Sequence, residues 1–126
     1  MTLIENPIKL AILSSRKLNE KEIFDKHRDT LENVIKGFDP KEVEITIGNI
    51  KNKLVINFLR DLGYKVIVVS QRSGSLYNSN KKIIRENEMI VFLRYDESPR
   101  IGEFLEYAIA IGGKSTVPIN INSKSS

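Results

Sequence analysis

Residues 43–69 read VEITIGNIKNKLVINFLRDLGYKVIVV, and this stretch decides the fold. Val43 to Ile47 is a short run rich in β-branched residues, closed by Gly48-Asn49, and it reads as a strand. Leu54, Val55, Phe58, Leu59 and Leu62 then recur at helical spacing as one apolar stripe, which Gly63 terminates. Lys65 to Val69, KVIVV, is a second strand. Strand, amphipathic helix and strand in immediate succession make a crossover unit, the connection that parallel strands require.

The same alternation extends in both directions. Upstream, Ile8 to Leu13 (IKLAIL) suits a strand buried on both faces. A polar break, Ser14-Ser15-Arg16, leads to a helix in which Asn19 and Glu22 have the spacing of a capping box. Ile23, Phe24, His27, Leu31, Val34 and Ile35 carry its apolar face, Gly37 ends it, and Phe38-Asp39-Pro40 turns the chain. Downstream, a loop rich in Ser, Gly and Asn spans Ser70 to Asn80, followed by a short helix around Lys81 to Asn87 and a fourth strand, Met89 to Leu93. Ser98-Pro99 marks the start of a last helix that runs to about Ile111 and stops at Gly112-Gly113. Thr116 to Ile121 reads as a fifth, edge strand.

The pattern predicts an α/β chain of the three-layer, Rossmann-like kind with a five-stranded, mainly parallel sheet. Right-handed crossovers then gather the strand-to-helix loops on one edge. The expected strand order is 3-2-1-4-5, with 2-1-3-4-5 as the alternative. A length of 126 residues fits one domain, taken as residues 1–122, with 123–126 as a frayed tail.

Composition narrows the function classes. The chain is 40% hydrophobic and 29% charged, which argues against disorder. With no cysteine and one histidine, disulfides and a structural zinc site are excluded, and no metal or cofactor is expected. No apolar run is long enough to span a bilayer, and MTLIENPIKL lacks the plan of a signal peptide, so a cytoplasmic location is expected. The formal charge of +4 comes from Lys and Arg interspersed with Asp and Glu; a nucleic-acid surface is possible, but solvated lysines are the simpler reading.

Ligands of such sheets bind beyond the carboxyl ends of the strands. That places Ser14, Ser15 and Arg16, Gly48 and Asn49, Ser70, Gln71 and Arg72, Tyr95 and Asp96, and Arg100 to Glu106 near a site. In the last helix, Gly102 and Arg100 are both unfavourable in a first turn, through low helix propensity and an adverse dipole interaction respectively. An anion held by Arg100 and the amides around Gly102 would explain both; the plainer alternative is that Gly102 fits under a neighbouring strand. His27, on the buried side of its helix, reads as a packed core residue rather than a base. The adjacent acids Asp96 and Glu97 are commonplace in a turn.

The segment Gly102-Glu103-Phe104-Leu105-Glu106, followed by Tyr107-Ala108-Ile109-Ala110, resembles the closing Gly-Thr-x-x-Glu motif of nucleoside 2-deoxyribosyltransferases and of the superfamily of SMF, DprA and LOG proteins. Ser14-Ser15-Arg16 resembles the Gly-Ser-Arg of small members, and Gly48 the first glycine of a Gly-Gly-x-x-Gly-x-Asp loop. The chain departs from the pattern where Asn52 replaces a glycine, Leu54 the aspartate, and Glu103 the threonine. The resemblance implies a nucleotide or nucleoside-like ligand, with Ser14, Ser15, Arg16, Gly48, Asn49, Arg72, Arg100 and Gly102 binding it. It also implies Glu106 as the carboxylate of any N-glycosyl-cleaving hydrolase or transferase. The departures favour a sensor or degenerate enzyme over an active N-glycosidase or deoxyribosyl or phosphoribosyl transferase. A nucleic-acid-associated module remains a third reading. A homodimer is expected, paired through the first or the last helix.

Overall fold

The structure is a computed structural model that describes residues 7–48, 53–69 and 76–122. Five strands, β1 (Ile8–Ser14), β2 (Val43–Gly48), β3 (Lys65–Val69), β4 (Met89–Tyr95) and β5 (Ser115–Ile121), form one sheet in the order β3-β2-β1-β4-β5. Every pairing is parallel. The order is the one expected from the sequence; the sheet is wholly rather than mainly parallel.

Four helices cover it: α1 (Lys21–Ile35), α2 (Lys53–Asp61), α3 (Leu76–Glu86) and α4 (Pro99–Ile111). Alternate residues of the central strands point to opposite layers. On one face Leu10 and Ile12 of β1 and Ile45 and Ile47 of β2 meet Phe24 and Leu31 of α1 and Val55 and Leu59 of α2. On the other, Ala11 and Leu13 of β1 and Ile90 and Phe92 of β4 meet Ile84 of α3 and Phe104 and Ala108 of α4. This is why β1 and β4 each contain four consecutive buried residues, whereas β5 is only intermittently covered. Phe24 and Phe58 join α1 to α2 edge to face, with centroids 5.6 Å apart.

Three local expectations are corrected. Helix α3 begins at Leu76, five residues before the expected start at Lys81, so its first turn takes in Ser and Asn residues read as loop. Strand β4 continues to Tyr95, because its pairing with β5 extends through Tyr95–Ile121. Asn19 does not cap α1. A short 3-10 helix, Arg16–Asn19, follows β1, and α1 starts after Glu20 with no side-chain cap. Asn19 Oδ1 instead accepts the backbone N–H of Leu54 at 3.1 Å, in the first turn of α2. An N-terminal amide has been satisfied from 35 residues away. The sequence pattern gave the right residue type but the wrong helix.

At the other end of α1, the Tyr64 hydroxyl donates to the carbonyl oxygens of Ile35, at 2.8 Å, and Phe38. Burial pushes the Tyr64 phenol above its ordinary value, and Asp39 adds to the effect. Gly63, with φ +96°, ends α2 as the sequence required.

The long-range cap yields a direct test. Asn19→Ala is expected to lower stability by about 1 kcal/mol in urea unfolding, while Glu22→Ala changes it by less than about 0.5 kcal/mol. Equal losses in the two variants would restore the capping box within α1.

Candidate functional site

At the carboxyl edge of the sheet the chain leaves β1 and β4 in opposite directions: α1 follows β1 onto one face and α4 follows β4 onto the other. The divergence opens a crevice above the β1–β4 pair, the switch point of an open α/β sheet. A cavity of about 370 Å³ occupies it. Its floor is Leu13, Ser14 and Ser15 at the end of β1; Gly48 and Asn80 form one side, Tyr95, Ser98 and Arg100 the other. The size is in the range of small-molecule sites.

Ser15 holds the seam rather than facing an empty space. It is buried, its N–H donates to Leu93 O at 2.9 Å, and its Oγ accepts the N–H of Tyr95 at 2.9 Å. The hydroxyl thus continues the β1–β4 ladder past the last strand residue. Ser14 Oγ donates to the Ser15 carbonyl at 3.2 Å. The chain then turns into the 3-10 helix, which brings Arg16 and Lys17 to the rim, both exposed.

The charge of the cavity has one sign. Arg16, Lys17 and Arg100 line it, and no carboxylate does so among the described residues. Arg100 lies 4.0 Å from Glu103, but both side chains are more than half exposed, so the pair holds the guanidinium only loosely. A low-dielectric floor beneath three cations favours an anionic ligand.

Gly102 is placed differently from the anion seat expected of it. A Cβ there would meet Arg94 Nη2 at 2.8 Å and Cζ at 3.1 Å, and the Gly102 N–H already donates to Ser98 O at 3.2 Å. The glycine makes room for Arg94 of β4, which is the plainer of the two alternatives. Arg94 in turn donates through Nε to Ser98 O at 3.0 Å and through Nη2 to Glu97 O at 3.2 Å. It thereby clamps Asp96 and Glu97, two successive non-glycine residues with φ of 49° and 56°. This strained turn lets the chain leave β4 and deliver Ser98 and Arg100 to the cavity. Gly102 acts on the site through Arg94, without lining it.

Glu106 is exposed and is absent from the cavity lining, as is Glu103. Asn49 and Arg72, together with Ser70 and Gln71, lie outside the described residues. Of the remaining sequence-derived candidates, Ser14, Ser15, Arg16, Gly48 and Arg100 converge on one cavity. Tyr95, Ile101 and Phe104, within the positions placed near the site, line it too, whereas Lys17, Asn80 and Ser98 line it without having been named as site candidates. Lys17 was within reach of the sequence, adjacent to Arg16 in the loop after β1. Asn80 was not, because it approaches Gly48 only through the packing of α3 on β2.

His27 lies behind the site. It is buried, and its ring meets that of Tyr95 edge to face at 5.8 Å, as expected of a packed core residue. Its Nε2 is buried and has no hydrogen-bond partner among the described residues. Burial lowers its pKa below 6.5; Lys26 adds to the lowering and Asp96 opposes it. Among the described residues no group of three or more His, Asp or Glu is placed to hold a metal ion, and no helix is long and apolar enough to cross a membrane.

Comparison with known proteins gives no match: no family model, curated protein or solved structure is significantly similar to the chain.

The histidine supplies the test. Because the unfolded chain takes up the proton more readily than the fold does, stability is expected to be full above about pH 6.5 and to fall as pH drops from there toward the lowered folded value. Below that value the contribution levels off. His27→Leu should flatten the dependence between about pH 7.5 and 5.5 in urea titrations. An unchanged slope in the variant would mean that His27 is protonated without penalty in the fold.

Proposed function

We propose that the protein binds a nucleotide or a related nucleoside derivative in the cavity above the β1–β4 pair, as a sensor or a degenerate enzyme. The observation that carries the reading is the cavity itself: a small-molecule-sized hollow at the switch point, rimmed by Arg16, Lys17 and Arg100, with no carboxylate in its lining among the described residues. Phosphate oxygens are the natural partners of such a rim. The apolar surfaces of Leu13, Ile101 and Phe104 suit the flat or carbon-rich remainder of the ligand. The likeness of Gly102 to Ala110 to the closing motif of nucleoside 2-deoxyribosyltransferases and of SMF, DprA and LOG proteins points the same way. Absence of cysteine fits a reducing, cytoplasmic setting.

Glycosyl cleavage is the less favoured reading. It needs a carboxylate beside the anomeric carbon, and Glu106 is exposed outside the lining. A thermal-shift screen of nucleotides, with free base measured on every hit, separates the readings. Stabilisation without base release is the expected result. Arg16→Gln and Arg100→Gln should each weaken nucleotide binding by about three- to tenfold, while Glu106→Gln alters it by less than about twofold. Base release by the wild type that Glu106→Gln abolishes would overturn the binding reading in favour of the enzyme. Binding that ignores free nucleotides and collapses with salt on oligonucleotides would favour a nucleic-acid module.

The proposed assembly is a homodimer through α4. Ile109, one turn beyond Leu105, is 63% exposed, and Ile111 is 41% exposed, leaving apolar surface that a second copy would cover. Sedimentation at micromolar concentration is expected to give a dimer that Ile109→Glu converts to monomer; wild-type monomer under the same conditions rules the arrangement out.

A further inference from the structure

Asn80 is the one neutral amide in the cavity lining among the described residues, and nothing in the chain's motifs marked it. It projects from α3 over the end of β2. A Cβ on Gly48 would lie 2.7 Å from Asn80 Oδ1 and 2.8 Å from Ile83 Cδ1. The missing side chain at Gly48 therefore admits the carboxamide against the backbone of β2. The carboxamide has no hydrogen-bond partner among the described residues, although Asn80 is half-buried. A half-buried amide whose donors and acceptor meet no described residue has hydrogen-bonding capacity to offer a ligand.

Position adds the second half of the argument. Asn80 and Gly48 sit at the β2 side of the cavity, while Tyr95, Ser98 and Arg100 sit at the β4 side, with the end of β1 between them. Two strand spacings separate the sides, on the order of 10 Å. A group resting at Arg100 is thus too far from the amide for both to hold it. A ligand whose anionic group rests at Arg100 reaches Asn80 with a second, neutral hydrogen-bonding group. A bare phosphate cannot span that distance, and a pentose phosphate has no rigid polar edge to present across it. A heterocyclic base does.

We infer that Asn80 is the specificity-determining residue of the cavity, where its carboxamide pairs with the polar edge of the base of a nucleoside monophosphate whose phosphate is held at the Arg100 side. This rests on the nucleotide-binding reading above and deepens it. Asparagine matches a base edge because its donor and acceptor lie in one plane and can form two parallel hydrogen bonds.

Isothermal titration of the full chain with AMP, CMP, ribose 5-phosphate and inorganic phosphate tests it. The wild type is expected to bind at least one nucleotide about tenfold more tightly than ribose 5-phosphate. Asn80→Ala should reduce that preference to within about twofold while leaving ribose 5-phosphate binding unchanged. Alanine suits a helix, so the variant should fold, which circular dichroism checks. Gly48→Ala provides an independent route: its methyl displaces the amide without removing it, and it should also erode the preference. A full tenfold preference in Asn80→Ala overturns the role of Asn80 and leaves the nucleotide reading standing. A wild type that binds none of the four compounds, or binds ribose 5-phosphate as tightly as either nucleotide, overturns the inference at its premise.

Discussion

The parallel pairing of β1 with β4 is the constraint on which the rest of the molecule depends. The two strands lie side by side in the sheet, from Leu10–Met89 to Ser14–Leu93. They are far apart in the chain, and the helices that follow them pack on opposite faces. A covered sheet cannot close over the point where its helices part, so a crevice is a consequence of the topology. Ser15 extends the seam one step further by accepting the Tyr95 amide, and it fixes the floor of the cavity in doing so. The site is a by-product of the same hydrogen bonds that hold the centre of the sheet together.

The rim of that crevice is built from less comfortable pieces. The chain must leave β4 sharply enough for α4 to begin over the cavity, and it does so through Asp96 and Glu97 in left-handed conformation. Such a turn persists only when its surroundings hold it. Arg94 supplies two hydrogen bonds to its carbonyls, and Gly102 supplies the space in which the guanidinium lies. Strand, turn and helix are therefore coupled through one side chain. Arg100 owes its place at the cavity to a glycine and an arginine that do not themselves line it.

A similar exchange of partners occurs below. Asn19 secures the start of α2 while α1 begins without a side-chain cap, and Tyr64 closes the end of α1 from the loop before β3. Polar side chains on short connections thus satisfy helix termini belonging to other units of the fold. The result ties the first two crossover helices to each other as well as to the sheet, while the His27–Tyr95 contact connects α1 to the wall of the cavity.

The order of strands and helices was legible in the amino-acid sequence, the first turn of α3 excepted, and so was the sheet edge at which the cavity opens. Apolar periodicity is a local quantity, set by which side chains face a neighbouring layer, and Val43 to Val69 carried it without ambiguity. Glycines and Ser98-Pro99 marked the ends for equally local reasons of backbone conformation. The convergence of Ser14, Ser15, Arg16, Gly48 and Arg100 followed from topology alone, since parallel strands deliver all their carboxyl ends to one side. What the tertiary structure decided was the occupant of each gap. Gly102 read as room for an anion and is room for Arg94; Gly48 read as part of a loop motif and is room for Asn80; Asn19 read as the cap of the next helix and caps the one after. Glu106 had the spacing of a motif, and its helix turns it to solvent. A vacancy or a lone donor is visible in one dimension, but the group that fills it arrives through space, from a segment whose distance along the chain carries no information about its distance in the fold.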